Sequence, residues 1–185
     1  YQMNRIPLIA AETLQDDARE VFEDMKRYGP FGNLLGAMAH RPTILKHLFS
    51  MLLDLRDEAV LPRRSLEVAL VVVSKLNECA YCVSHHAPML SVQGLSQEGI
   101  DRLLDGEDHP ELDEVDKIVV RYAEAVTNRS NQMRDAEVDA LRPHFNDAQI
   151  VELTWRIALC GAFNRFNDSL QLPLEDGGET ALNKS

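Results

Sequence analysis

The run Leu66-Glu67-Val68-Ala69-Leu70-Val71-Val72-Val73 limits what this chain can become more than any other stretch. Its β-branched residues would by propensity allow a buried strand. A strand needs a second one to satisfy its backbone groups, and no other stretch reads convincingly as one. The segment from Leu61 to Lys75 is therefore expected to be a helix, apolar on all sides and central to the core of an all-α fold.

Glu67 is the one charge in that run. Burial there would raise its pKa toward the range of a proton shuttle, although a lone glutamate in an apolar run is more often one whose head reaches the surface. Twelve residues further on comes Cys79-Ala80-Tyr81-Cys82-Val83-Ser84-His85-His86, a C-x-x-C pair followed by a histidine four residues after its second cysteine. With Asn77 as its cap, a helix over residues 78–87 turns by about 100° per residue. That rotation sets Cys79, Cys82 and His86 on one face, with Cys82 and His86 as i, i+4 neighbours.

Such a face suits thiol chemistry. The thiolate is the attacking species, and an adjacent histidine takes its proton or stabilises its charge. A second thiol one turn away captures a sulfenic acid as a disulfide before it is overoxidised. The positive end of the helix favours Cys79 as the more acidic thiol and the histidine contact favours Cys82, so the residues alone leave that choice open. Glu67 reaches the thiols only if its own helix packs against theirs. A structural zinc site would want four ligands, and only His85 or His86 lies near enough to add to the two cysteines.

Read together, Glu67, Cys79, Cys82 and His86 form Glu-x11-Cys-x-x-Cys-x3-His, which resembles the signature of the alkylhydroperoxidase D branch of the carboxymuconolactone decarboxylase family. The stretch Leu76-Asn77-Glu78-Cys79-Ala80-Tyr81-Cys82-Val83-Ser84-His85-His86 is similar to its peroxidase-related subgroup, and weaker similarity runs from Arg5-Ile6-Pro7 to Asn164-Arg165-Phe166-Asn167-Asp168. The resemblance implies an alkylhydroperoxidase D-like helical domain, homo-oligomers of two or more subunits, and reduction of hydroperoxides through a disulfide cycle. By the same resemblance Cys82 is the peroxidatic thiol, Cys79 the proton donor and resolving thiol, and His86 with Glu67 the proton relay.

One position departs from that pattern. Alkylhydroperoxidase D has a histidine directly before the second cysteine, and this chain has Tyr81. A phenol is a poor base near neutral pH, so the relay is either shorter here or rerouted through His85, at i+4 from Tyr81. The implied partners are a hydroperoxide substrate and a dithiol or thioredoxin-like reductant, with no flavin, haem or metal cofactor required. Two alternatives accompany this reading: a general thiol-disulfide oxidoreductase, and a low-activity regulatory or binding module on the same scaffold. Decarboxylase chemistry fits less well, because those members lack the cysteine pair.

Composition narrows the partners. Thirty acidic against nineteen basic residues give a formal net charge of -11, which repels phosphate backbones and disfavours nucleic acid and anionic membrane. Two of the three cysteines lie in the C-x-x-C pair, the usage of a reducing compartment. With no signal peptide or long apolar run, a soluble, cytoplasmic protein is expected. The 185 residues suit a single domain over 1–174 with a disordered tail over 175–185, and Met3 is expected to be the natural start.

Along the chain, the Arg5–Ile9 arm either docks on a neighbouring subunit or frays. Thr13 and Asp16 read as a capping box for a helix that ends at Gly29-Pro30. Pro42 falls in the first turn of another helix, with Ile44, Leu45, Leu48, Phe49, Leu52 and Leu55 as its stripe. Pro88 is expected to kink or end the C-x-x-C helix just past His86. Leu112, Val115, Ile118, Val119, Tyr122 and Val126 mark a clear amphipathic helix.

Asn146 or Asp147 caps a long apolar helix that carries Cys160, read as a small buried hydrophobe, and Arg165 and Asp168, read as a local i, i+3 pair. Residues 145–170 faintly echo 61–86, with Val151, Phe163 and Phe166 at the places of Glu67, Cys79 and Cys82. A duplicated two-helix unit that kept one reactive copy would produce that echo.

Overall fold

A computed structural model describes residues 4–175, and among them all regular structure is helical. The described chain falls into two compact units, one reaching to Ala59 and resuming at Asn167, the other running from Val60 to Phe166.

The first unit opens with a 3₁₀ turn at Ala11–Thr13, then α1 (Asp16–Tyr28), α2 (Gly32–Met38) and α3 (Pro42–Glu58). Ala18, Phe22 and Met25 of α1 and Leu45 and Phe49 of α3 are buried, whereas Ile44 of the expected stripe is exposed. Pro42 begins α3 as its fixed φ allows. The expected capping box does not form. Thr13 Oγ1 donates to the Ala10 carbonyl at 2.8 Å and closes the 3₁₀ turn, a local side-chain bond that competes with capping, and α1 starts at Asp16 behind Gln15.

The arm is held by main-chain hydrogen bonds within its own chain. Ile9 N–H donates to Gly36 O and Arg5 N–H to Leu170 O, each at 3.0 Å. A Cβ at Gly36 would meet Ile9 O and Leu8 Cβ at 3.1 Å, so glycine there is what lets the arm lie against α2. Of the expected disordered tail only Glu175 is described, and its carboxylate accepts from Asn33 N–H at 2.8 Å; residues 176–185, like 1–3, lie outside the described residues.

The second unit contains α4 (Arg63–Leu76), α5 (Ala80–Val92), α6 (Gln97–Asp101), a 3₁₀ stretch Leu103–Asp108, α7 (Glu114–Arg129), α8 (Asp135–Asp139) and α9 (Asp147–Leu170), whose last turn belongs to the first unit. The apolar run is helical, as expected, and every residue from Ser65 to Ser74 is buried. Val68, Val71 and Val72 of α4 share one core cluster with Val119, Val120 and Ala123 of α7 and Leu153 and Ile157 of α9. Arg64 fastens α4 to α7: its Nε and Nη2 donate to the buried Asp116 at 3.0 and 2.7 Å, while Nη1 donates to Gln93 O at the end of α5. Asp116 also completes a capping box with Asp113, so its remaining acceptor capacity is used as burial demands.

Asn146 caps α9 through a reciprocal pair with Gln149, both bonds 2.9 Å. α9 runs unbroken for 24 residues where 61–86 divides into two helices, so the echo between the two segments is not carried into conformation. Val151 and Trp155 face outward from α9 and are exposed, and Arg165 donates to the Gly161 carbonyl one turn back. Among the described residues no helix is long and apolar enough to cross a membrane.

Candidate active site

The site begins where α4 stops. Asn77 is the C-cap of α4, not the N-cap of the next helix as its residue type suggested, and Glu78 takes a left-handed conformation with φ 55°. Cys79 N–H then reaches back to Ser74 O at 2.9 Å and Glu78 N–H to Lys75 O at 3.0 Å, the paired bonds of a Schellman ending. The chain re-enters a helix at once, with Cys79 as N-cap of α5 and its carbonyl accepting from Val83 N–H at 3.0 Å. Pro88 lies inside that helix and does not end it; α5 continues to Val92 before Gly94, at φ 101°, turns the chain away.

This geometry places both thiols at the positive end of α5, with Cys79 at the cap and Cys82 in the first turn, one turn before His86. The dipole argument therefore no longer separates them. All three cysteines are buried thiols outside any disulfide.

α4 and α5 pack together, and their contact joins Glu67 and His86. His86 Nδ1 lies 3.0 Å from Glu67 Oε2, and Glu67 is only 1% exposed. A carboxylate accepts but does not donate, so Nδ1 carries the hydrogen, and in the neutral ring Nε2 is the basic nitrogen. On the other oxygen, Arg63 Nη2 stands 2.6 Å from Oε1 without the alignment of a hydrogen bond, a contact of charge on charge.

Burial pushes the Glu67 carboxyl upward, as expected from the sequence. The His86 hydrogen bond and the charges of His86, Arg63 and Arg156 outweigh it and leave Glu67 below the ordinary carboxylate range, which reverses the expected direction. Arg63 and Arg156 were not legible as site residues. Arg63 had a signal in its i, i+4 spacing from Glu67, whereas Arg156 arrives from α9 with none.

Tyr81 and His85 are both buried and stack face to face, with ring centroids 4.4 Å apart. His85 Nδ1–H donates to the Tyr81 carbonyl at 2.6 Å, and Ser84 Oγ donates to the same oxygen at 2.7 Å. A route through His85 therefore has only Nε2 to work with, because Nδ1 is engaged by the main chain.

Behind Cys79 lies a buried polar chain between α4 and α9. Asn77 Nδ2 donates to Asn164 Oδ1 at 2.9 Å, Asn164 Nδ2 to Ser74 Oγ at 3.3 Å, and Cys160 Sγ sits 3.4 Å from Ser74 Oγ and donates to Leu70 O at 3.6 Å. Burial, reinforced by the field of Cys79, pushes the Cys160 thiol up to about 12 despite its bonds to Ser74 and Asn164 and the charge of Arg156. It stays a thiol at neutral pH, the small buried residue expected. Among the described residues no group of three or more His, Cys, Asp or Glu side chains is placed to hold a metal ion.

The fold is that of the alkylhydroperoxidase D-like helical proteins. A peroxidase-related protein from Silicibacter sp. TM1040 superposes with a TM-score of 0.80 at 23% identity, over 95% of this chain and 93% of that one. The alkylhydroperoxidase AhpD core protein from Ralstonia eutropha JMP134, also peroxidase-related, gives 0.76 at 22%, over 95% and 94%. The debrominase Bmp8, in complex with 2,3,4-tribromopyrrole, gives 0.75 at 17%, over 95% of each chain. By sequence, residues 42–108, which carry Glu67, Cys79, Cys82 and His86, match the Carboxymuconolactone decarboxylase family. No curated protein matches the chain by sequence.

Proposed function

We propose that this chain is a thiol peroxidase that reduces organic hydroperoxides through a Cys79–Cys82 disulfide cycle. The observation that carries the reading is the buried Glu67–His86 pair, 3.0 Å between Oε2 and Nδ1, one helical turn from Cys82. Glu67 holds the imidazole in the tautomer whose Nε2 is basic, and a carboxylate behind the ring stabilises the imidazolium that forms.

In the cycle Cys82 gives its proton to His86 Nε2, and the thiolate attacks the terminal peroxide oxygen. The O–O bond breaks, Cys82 becomes a sulfenic acid, and the alkoxide leaves as an alcohol with the proton from His86. The Cys79 thiol then attacks the Cys82 sulfur: the S–S bond forms, the S–O bond breaks, and the leaving hydroxide takes the Cys79 proton and departs as water. An external dithiol or thioredoxin-like donor restores both thiols by exchange, becoming a disulfide itself. Hydroperoxide and dithiol are consumed, and alcohol, water and the donor's disulfide are produced. The donor requires a reducing compartment, in keeping with a cytoplasmic homo-oligomer.

A second reading is favoured by Tyr81, which stands where alkylhydroperoxidase D has a histidine: a general thiol-disulfide oxidoreductase that uses the same pair without a peroxide step. Stopped-flow oxidation by an organic hydroperoxide, with mass spectrometry of wild type, Cys82→Ser and Cys79→Ser, separates the two. The peroxidase reading expects fast formation of the Cys79–Cys82 disulfide and a trapped sulfenic acid on Cys82 in Cys79→Ser. Oxidation no faster than that of an ordinary thiol, together with ready exchange with a small disulfide, replaces it with the second reading.

A further inference from the structure

Arg63 and Arg64 occupy the first two positions of α4, the end of a helix whose dipole disfavours cations. Each faces a carboxylate withdrawn from solvent: Arg64 holds Asp116 of α7, and Arg63 stands 2.6 Å from Glu67 Oε1, the oxygen that His86 leaves unused. A carboxylate with 1% exposure needs compensating charge to remain ionised. The groups acting on Glu67 are His86 from α5, Arg63 from its own helix and Arg156 from α9, while on the α7 side Arg64 is taken up by Asp116. Arg63 comes closer to Glu67 than His86 does, 2.6 against 3.0 Å, and at 32% exposure its side chain carries this charge pairing out to solvent.

We propose that Arg63 is a positioning residue of the thiol relay: by occupying Glu67 Oε1 it keeps Glu67 a carboxylate, so that the proton taken from Cys82 rests on His86 and does not pass through Nδ1–H to Glu67. This rests on the relay described above. Without the guanidinium, less charge opposes the burial that favours the neutral acid, and the shared proton shifts from His86 Nδ1 toward Glu67 Oε2. The imidazolium is then lost as the partner of the Cys82 thiolate and as the donor to the leaving alkoxide. With the guanidinium in place, the imidazolium stands between two anions and keeps its proton.

The test uses the full chain carrying Cys79→Ser, alone and combined with Arg63→Gln, Arg63→Lys or Arg63→Met. The rate at which iodoacetamide alkylates Cys82 is followed against pH by mass spectrometry. Arg63→Gln is expected to move the half-maximal rate toward alkaline pH, with roughly tenfold slower alkylation on the acid side, and Arg63→Lys to restore most of it. Arg63→Met keeps the apolar stem and removes the charge, and it must repeat the shift if Arg63→Gln does not fold. A Gln or Met curve that superimposes on that of the Arg63 parent overturns the proposal, as does a Lys curve displaced as far as the uncharged variants. Alkylation involves no peroxide: a shifted curve in a protein that fails to reduce hydroperoxides removes the peroxidase reading alone, and fast peroxide reduction with an unshifted curve removes Arg63's role alone.

Discussion

His86 Nδ1 and Glu67 Oε2 are 3.0 Å apart, and the carboxylate of that pair is almost wholly withdrawn from water. Two helices joined by a very short break achieve this. α4 ends in a Schellman turn, Cys79 both closes that turn and caps α5, and the reversal brings residue 86 back against residue 67. The same break fixes the positions of the two cysteines, so the Glu67–His86 pair and the thiols are set by one local backbone geometry. Packing of Val68, Val71 and Val72 in the core anchors it.

Glu67→Gln keeps an acceptor for His86 Nδ1–H but removes the charge that stabilises the imidazolium. The rate of Cys82 oxidation by hydroperoxide is expected to fall by between about a hundred- and ten-thousandfold, the range for loss of general acid–base assistance. Single-turnover stopped-flow measures it. A fall of less than about threefold would show that the pair is a structural contact and not a relay.

The sign of Glu67's shift sets an acid limit. Its pKa is depressed below the ordinary 4.5, because the His86 bond and the charges of His86, Arg63 and Arg156 outweigh burial. A depressed carboxylate contributes stability that is present above the unfolded value and is lost as pH falls through the folded one. Urea unfolding from neutral pH downward is therefore expected to hold Glu67's contribution to below pH 4.5 and then lose it, and Glu67→Gln should remove this part of the acid slope. An acid slope identical in the two proteins would contradict the assignment.

The Glu67–His86 contact was legible because helical periodicity and one short break bring these two residues together with little help from the rest of the chain. The helical state of the 66–73 run was expected from the lack of a partner strand together with the family resemblance. Other features depend on information a linear pattern does not hold. Glutamate is an uncommon left-handed residue, so Asn77 looked like a start when it was an end. Thr13 found a nearer acceptor than the cap position offered. Arg156 reaches Glu67 from another helix, and the direction of Glu67's pKa shift turned on cations whose approach only the packed structure reveals.

Cys160 provides a control within the same chain. Its thiol is pushed up to about 12 and is sealed in the Ser74–Asn164 network, so alkylation of the folded protein near pH 8 should leave it unmodified while Cys82 reacts. Its adduct is expected only after denaturation. Cys160→Ala should leave the peroxide reaction unchanged, and a matching loss of activity would bring this thiol into the cycle.

Glu78 tests the break itself. It is exposed, and it holds φ 55° at the position where glycine is the usual residue. A side chain in the left-handed region costs about 1 kcal/mol, so Glu78→Gly is expected to stabilise the fold by about that much and Glu78→Val to weaken it. Urea denaturation reads both changes. The same substitutions separate stability from chemistry. If the Schellman turn only sets the helix ends, Glu78→Gly oxidises at the wild-type rate. If closing the Cys79–Cys82 disulfide requires the Cys79 N–H to leave Ser74 O, the Gly variant, whose backbone moves more freely, forms the disulfide faster from the same sulfenic acid. Single-turnover kinetics with quenched mass spectrometry distinguishes a change in that second step from a change in the first.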